Sequence, residues 1–271
     1  MWLVRRDNEH IKMQMGLDDA WLGAIMADDP AHFPEPINNP VLRILEFRRP
    51  GITLARNQHI SDIDQEACRK LDVDYTRRHS SGSAMYCGEN IVAYSIIAKA
   101  DEEVRGPQSA FQRFGTSVAE VLTDLGIPDV SLGKSYSVKI GGNIAAGVGQ
   151  FWQGKYFVYH GIITFTPWDA DRIAQLIKLR PAKNGKPSEY NYIKQIPSVT
   201  DHAQISKQEL EKRLIEKITR GQFEMAKEPE NVSLAAYSLF EEFYGGHEKW
   251  LNEGKKSGLG FCLCPLDFYD T

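Results

Sequence analysis

Two short segments carry residue types that could hold an anionic substrate. The first is Arg77-Arg78-His79-Ser80-Ser81-Gly82-Ser83-Ala84-Met85-Tyr86. Two arginines lead into a run of small residues. Small residues let backbone N–H groups approach a ligand closely, and guanidinium forks hold phosphate or carboxylate through paired bonds. Nucleotide and acyl-adenylate sites need this equipment. A Ser/Gly turn between strands, flanked by solvated arginines, would read the same way. The second segment is Lys139-Ile140-Gly141-Gly142-Asn143, at the end of a strand-like run. A lysine beside paired glycines can reach into a site where the backbone makes room. Its ammonium suits the anionic pentavalent phosphate of acyl activation, and then the leaving AMP. A surface lysine beside a β-bulge is the other reading of these residues.

The elements that must position these residues follow from punctuation and periodicity. Apolar residues at helical spacing predict a short helix over residues 18–26. Residues 28–40, rich in Pro, Asp and Asn, read as a loop. Residues 40–55 read as two strands turned at Pro50-Gly51. A helix is expected over 61–71, with Ser61 as N-cap and Asp62 and Asp64 in its first turn. Strands are expected at 74–78 and 91–97, and a long helix at 107–125. Residues 136–145 and 156–165 read as a hairpin whose loop holds Gly147, Gly149 and Gly154. Further helices are expected over 169–179, 206–219 and 233–244. Helices mixed with strands adjacent in sequence predict an α+β fold around a mixed, largely antiparallel sheet.

A chain of 271 residues fits one large domain or two small ones. A hydrophobic share of 42% supplies a core, and 25% charged residues excludes global disorder. A net charge of −4 argues against a protein wrapped along nucleic acid. No apolar run approaches the roughly 18 residues that a membrane span needs. The start, MWLVRRDNEHIKMQMGLDD, has charge but no apolar signal core, which argues against secretion. Cys68, Cys87, Cys262 and Cys264 do not make a disulfide framework in a chain this long. Cys262 and Cys264 form Cys-x-Cys, but only distant His247 could add a metal ligand. A cytoplasmic enzyme is expected, with neither nucleic acid nor membrane as partner.

Taken in order, the segments resemble the lipoate–protein ligase family. Its signature runs Arg-Arg-x-Ser-Gly-Gly-Gly-Ala-Val-Tyr-His-Asp-x-Gly-Asn-x-x-Tyr-Ser. Here residues 77–95 read RRHSSGSAMYCGENIVAYS, without a gap. Upstream, Ala55-Arg56-Asn57-Gln58 resembles the family's Gly-Arg-x-Gln after a strand pair, and GLDDA at 16–20 resembles Leu-Ala-x-Asp-Glu. Downstream, Lys139-Ile140-Gly141-Gly142 is similar to Lys-Ile/Val-Ser-Gly, and Tyr159-His160-Gly161 to His-His-Gly. Ser198-Val199-Thr200 is similar to a further short block, and LFEEFYGGHEKWLNEG resembles the end of the family's large domain. The likeness spans residues 16–254, and the ordered set of blocks is specific where no single block would be.

The resemblance implies a biotin/lipoate ligase-type catalytic domain over residues 1–254, related in fold to class II aminoacyl-tRNA synthetases. Residues 255–271 would be a tail, with no accessory domain. It implies activation of lipoate by ATP with Mg²⁺ to lipoyl-adenylate, then transfer to a lysine of a lipoyl-domain protein. A separate accessory polypeptide would be a further partner. By the same resemblance, Arg77, Ser80, Ser81, Gly82, Ser83 and Ala84 would frame the acyl chain and adenylate. Lys139 would contact the carbonyl and phosphate, and Gly141, Gly142 and His160 would line the same cavity. Mixed-anhydride chemistry needs charge neutralisation and positioning more than a covalent nucleophile.

Departures from the pattern are specific. The three glycines of the signature are Ser81, Gly82 and Ser83, which implies a narrower pocket. Its His-Asp pair is Cys87-Gly88. The Asn-Asp pair that helps place metal and nucleotide is Ser135-Tyr136 at a shortened spacing, and the arginine after the lysine strand is Ala146. Metal ligands are therefore left unassigned. Octanoyl- and lipoyltransferases on the same fold use a cysteine and no ATP. The stretch 126–133, where one such branch holds its cysteine, has none, and Cys87 reads as a small, buried, inert thiol. A non-catalytic binder of lipoyl domains is the third reading, and Lys139 with Arg77 and Ser80 argues against it. The Gly-Arg-Gly-Arg-x-Gly loop of biotin ligases is absent, which argues against biotin.

Overall fold

The computed structural model describes residues 1–26, 37–134, 136–182, 187–244 and 251. In chain order the elements are β1 (Trp2–Glu9), α1 (Ile11–Met26), β2 (Val41–Phe47), β3 (Gly51–Leu54), α2 (Gln65–Lys70), β4 (Asp74–Arg77), β5 (Met85–Cys87), β6 (Ile91–Lys99) and α3 (Pro107–Asp124). There follow β7 (Val130–Gly133), β8 (Ser137–Ile140), β9 (Asn143–Gln153), β10 (Tyr156–Thr164), α4 (Ala170–Leu176), α5 (Glu189–Ile193), α6 (Lys207–Thr219), β11 (Phe223–Met225) and α7 (Glu230–Leu239). Eight strands form one sheet in the order β11-β1-β2-β6-β10-β9-β8-β7, and a smaller sheet runs β4-β3-β5. In the large sheet β1 pairs in parallel with β2 and β11, and the remaining pairs are antiparallel.

Helices cover both faces of the large sheet, which is why β2 and β6 read as near-continuous apolar runs. On one face Leu42, Ile44, Ile96 and Tyr159 pack with Phe111, Phe114 and Val118 of α3 and Leu210 and Leu214 of α6. The other face carries three cross-strand rows of different character. Val41, Ile97 and Val158 lie in register and pack under Leu17, Trp21 and Ile25 of α1. One pleat further on, Arg43, Ser95 and His160 form a polar row. The next row is Leu45, Ala93 and Ile162, all of which face a cavity. A single sheet face thus passes from core to polar network to pocket within three pleats.

Several expectations need correction. The strands expected over 40–55 exist, but β2 and β3 belong to different sheets and do not pair as a hairpin. The helix expected over 61–71 begins at Gln65, because the Asp64 carboxylate caps Ala67 N–H at 2.9 Å. Ser61 lies instead in a single 3₁₀ turn whose N-cap is His59. Gly147 and Gly149 are not in a loop; both sit inside β9. The expected short helix over 18–26 starts at Ile11, and the 233–244 helix starts at Glu230 and widens into a π turn over Phe240–Tyr244.

Most of the expected loop over 28–40 lies outside the described residues, as do Ser135, His247, Cys262 and Cys264. The block LFEEFYGGHEKWLNEG is described only through Tyr244 and at Leu251. No described helix is long and apolar enough to cross a membrane.

Candidate active site

The segment after β4 folds as a loop clamped from beneath by Arg78. This guanidinium is buried and donates to Ser80 Oγ at 3.0 Å, to the Thr53 carbonyl and hydroxyl at 3.0 Å each, and to the carbonyls of Ser81 at 3.1 Å and Ser83 at 2.8 Å. Its donors are turned inward, so it shapes the loop. Gly82 takes φ 121°, a conformation that a side chain would strain. Below the loop lies Gly149 of β9. A Cβ there would stand 3.0 Å from Ser80 Oγ and 3.3 Å from the Ser81 carbonyl, so the missing side chain lets the loop settle onto the sheet.

Arg77 turns the opposite way. It is fully buried and donates to the carbonyls of Ala55 at 2.7 Å, Gln58 at 2.6 Å and Leu251 at 2.6 Å. It therefore ties the 55–58 turn and Leu251 to the end of β4.

Beneath the loop runs a buried chain of polar groups. His160 Nδ1 lies 3.1 Å from Ser80 Oγ, and its Nε2 lies 2.8 Å from Asp18 Oδ2. The other Asp18 oxygen accepts from Arg43 and from Ser95 Oγ. Arg43 also donates to Asp7 at 2.8 Å and to the Gln14 side chain at 2.6 Å. Burial pushes the Asp18 carboxyl up, but Arg43 and His160 outweigh it, and the group is held below its ordinary value of 3.8. Asp18 is thus a carboxylate, and with one of its oxygens on His160 it fixes the ring that supports Ser80.

A second contact holds the loop from the side. His79 Nδ1 is 2.9 Å from Asp19 Oδ2, which also accepts from the Tyr244 hydroxyl. Burial and the adjacent Asp19 raise the Tyr244 phenol well above its ordinary value, so it stays a neutral donor.

The loop borders a cavity of about 580 Å³. Its apolar wall includes Ile11, Met15, Leu45, Phe47, Ile162 and Trp168. Polar groups reach it from Asn57, Gln58, Asp62, Lys178, Arg180 and Glu189. The lining is mainly apolar with a few charged groups, which suits a molecule that has both apolar and charged parts. Cys87 also lines the cavity, but burial pushes its thiol up to about 12. Its Sγ donates weakly to the Met85 carbonyl at 3.9 Å.

Of the residues named from the sequence, Gly82, Ser83, Ala84 and His160 line this cavity together. Ser80 and Ser81 lie just behind them, on the sheet side of the loop. Lys139 stands on β8, in register with Ile144, which does line the cavity. Cross-strand partners share a face, so Lys139 flanks the pocket. Among the described residues its ammonium has no hydrogen-bond or ion-pair partner.

Two expectations about lining are corrected. Gly141 and Gly142 are exposed and form the two-residue turn between β8 and β9, with φ of 55° and 82°. Paired positive φ values are the primed turn that matches the twist of a tight hairpin, so these glycines shape the lysine's strand and do not line the cavity. Arg77 also does not line it, because its guanidinium is spent on backbone carbonyls. Asp18 and Arg43 were not singled out by sequence reasoning, and Arg78, read with Arg77 as a possible holder of phosphate or carboxylate, holds the loop instead. Asp18 stood inside the GLDDA block, but nothing local marks it as the partner of His160.

No set of magnesium ligands is assigned among the described residues. They contain no group of three His, Cys, Asp or Glu placed to hold a metal. Of the carboxylates at the cavity, Glu189 is bound to Arg180 at 2.6 Å and Asp62 accepts from Gln58 at 3.3 Å.

Sheet order and the loop-roofed cavity define an α+β architecture for which solved structures give parallels. A bi-partite lipoate protein ligase from Thermoplasma acidophilum, described with its E2 lipoyl domain, matches with a TM-score of 0.75 at 18% identity, over 95% of this chain and 98% of that one. A T. acidophilum structure with bound lipoic acid gives 0.71 at 18% identity, over 93% and 98%. A lipoate-protein ligase A structure bound with ATP gives 0.71 at 18% identity, over 92% and 97%. At these identities the likeness speaks for the fold. No curated protein sequence matches the chain. The profile of the lipoyl protein ligase A/B catalytic domain, however, matches residues 23–219, and the chain belongs to that family.

Proposed function

We propose that the chain is an ATP-dependent lipoate–protein ligase. It joins lipoate to AMP and then passes the lipoyl group to a lysine of a lipoyl-domain protein. The observation that carries this reading is the cavity beneath the 79–84 loop, lined by both apolar and charged side chains, with Lys139 on the flanking strand. The apolar wall takes the acyl chain, and the charged groups take the carboxylate and the nucleotide.

In the first step the lipoate carboxylate attacks the α-phosphorus and pyrophosphate leaves. Lys139 neutralises charge where it develops, on the phosphate and the acyl carbonyl. The Arg78-braced loop and the Asp18–His160 support hold the reacting groups still, which supplies catalysis by positioning. In the second step the acceptor amine attacks the acyl carbonyl, gives up a proton and displaces AMP. No step is assigned to a metal.

Cys87 at the cavity wall raises the alternative of an ATP-independent acyltransferase. A thiol pushed up to about 12 stays protonated near neutral pH, and a protonated thiol is a poor nucleophile. The ligase reading is therefore preferred. Similarity to a ligase described as bi-partite supports a second polypeptide that assists adenylate formation.

The test assays each half-reaction on the purified chain, with AMP release and lipoyl-domain mass as readouts. Transfer from presynthesised lipoyl-adenylate is expected, with slow activation of free lipoate until a partner is added. Acyl transfer from an acyl thioester without ATP would favour the cysteine mechanism. Failure of both half-reactions with tight binding of lipoyl domains would favour a non-catalytic binder.

A further inference from the structure

One buried hydroxyl beside Lys139 has no assigned role. Ser137 is fully buried, and among the described residues its Oγ has no hydrogen-bond partner. A hydroxyl in that state is costly to keep in a folded protein, unless something other than the protein bonds to it.

The face it occupies follows from register. Val138 and Ile140 of β8 point into the core beneath α3. Strand alternation therefore puts Ser137 and Lys139 on the opposite face. The register shift on β9 leaves Ala145 as the extra residue, so the alternation of β8 is undisturbed. Ser137 pairs directly with Gly147, a cavity-lining residue where a Cβ would meet no atom within 4 Å. On its other side it pairs with Gly133 of β7. A Cβ on Gly133 would stand 2.4 Å from Ser137 Oγ and 3.1 Å from Lys139 Cε. The two side chains thus converge over the backbone of one glycine. The Lys139 stem and the Ser137 hydroxyl therefore lie near one another on this face.

We propose that Ser137 is a second anion-binding donor, whose hydroxyl bonds a phosphate oxygen of the acyl-adenylate beside Lys139. The proposal rests on the ligase reading and adds a residue to it. Lysine supplies charge without direction, whereas a hydroxyl fixed on the same strand supplies a directed bond.

The test uses Ser137→Ala and the volume-preserving Ser137→Cys in the full chain. Affinity for lipoyl-adenylate and for free lipoate is measured by calorimetry, and the melting temperature is measured without ligand. Both variants should bind lipoyl-adenylate about tenfold more weakly or worse, as expected for loss of a hydrogen bond to a charged group. Lipoate affinity should stay within about twofold, and the unliganded melting temperature should hold or rise. Unchanged adenylate affinity would overturn the proposal. So would a fall in melting temperature for both variants, because the hydroxyl would then be serving the fold. If the wild-type chain itself does not bind lipoyl-adenylate, the ligase reading fails first, which separates the two failures.

Discussion

Asp18 and His160, 142 positions apart in the chain, meet at 2.8 Å beneath the loop that roofs the cavity. Asp18 also faces Arg43, so replacing it leaves a fully buried guanidinium with one carboxylate fewer. Breaking such a buried network by removing one partner costs about 3–5 kcal/mol. Asp18→Asn should lower stability on that scale in urea unfolding.

The same carboxylate sets an acid limit. Its folded pKa lies below the ordinary 3.8, so around that value the unfolded chain binds more protons than the folded one. The stabilisation is complete above 3.8 and is lost as pH falls through the lower folded value. Stability measured from pH 6 down to pH 2 should therefore fall more steeply for wild type than for Asp18→Asn. Parallel curves would show that Asp18 does not carry the acid limb.

Gly147 and Gly149, two residues apart on β9, should respond to substitution in different ways. At Gly149 a side chain meets Ser80 and the Ser81 carbonyl, so Gly149→Val should lift the loop, lower the melting temperature and abolish lipoate binding. At Gly147 a side chain enters open space at the cavity, so Gly147→Val should keep the melting temperature and still weaken lipoate binding about tenfold or more. Calorimetry and thermal unfolding on both variants check this. Equal loss of stability at the two positions would mean the cavity does not extend over Gly147.

What could be read from the sequence divides along physical lines. The apolar periodicity of α3 and the β-branched run of β6 are local signals, and both elements lie close to where they were expected. Strand β1 was not expected, because Arg5, Arg6 and Asp7 break any apolar pattern in its sequence. In the fold these charges meet partners remote in sequence: Glu228 at 3.2 Å, Glu211, and Arg43 at 2.8 Å. No local pattern encodes such pairs. In the same way, residue types marked the 77–84 segment as functional but could not say that Arg77 braces backbone while its neighbour Arg78 shapes the loop. That depends on the opposite ways the two side chains leave the end of β4, and on the small sheet that β4 joins.

Cys87 separates the ligase from an acyltransferase. Its thiol is pushed up to about 12, so at pH 8 it should react with iodoacetamide far more slowly than free cysteine. Cys87→Ala should keep ATP-dependent lipoylation within about twofold, since the mechanism asks nothing of the sulfur. A loss of about a hundredfold or more, with the melting temperature unchanged, would make Cys87 the acyl carrier.

Lys139 offers the sharpest test of the chemistry. Among the described residues its ammonium bonds to nothing, and its strand is held by pairing to β7 and β9 and by Val138 and Ile140 in the core. Lys139→Ala should therefore leave the melting temperature unchanged. Charge that builds on the phosphate and carbonyl would lose its counter-charge, and removing one such contact slows chemistry by about a hundredfold or more. The loss should appear in kcat for adenylate formation, with a smaller effect on the affinity for free lipoate, because the acyl chain is held by the apolar wall. Lys139→Arg restores charge but not shape, and should recover only part of the rate. AMP release in single turnover, with lipoate binding measured separately, decides the matter. Near-normal turnover in Lys139→Ala would remove this lysine from the site and leave the cavity-lining cations Lys178 and Arg180 as the place to look for the phosphate.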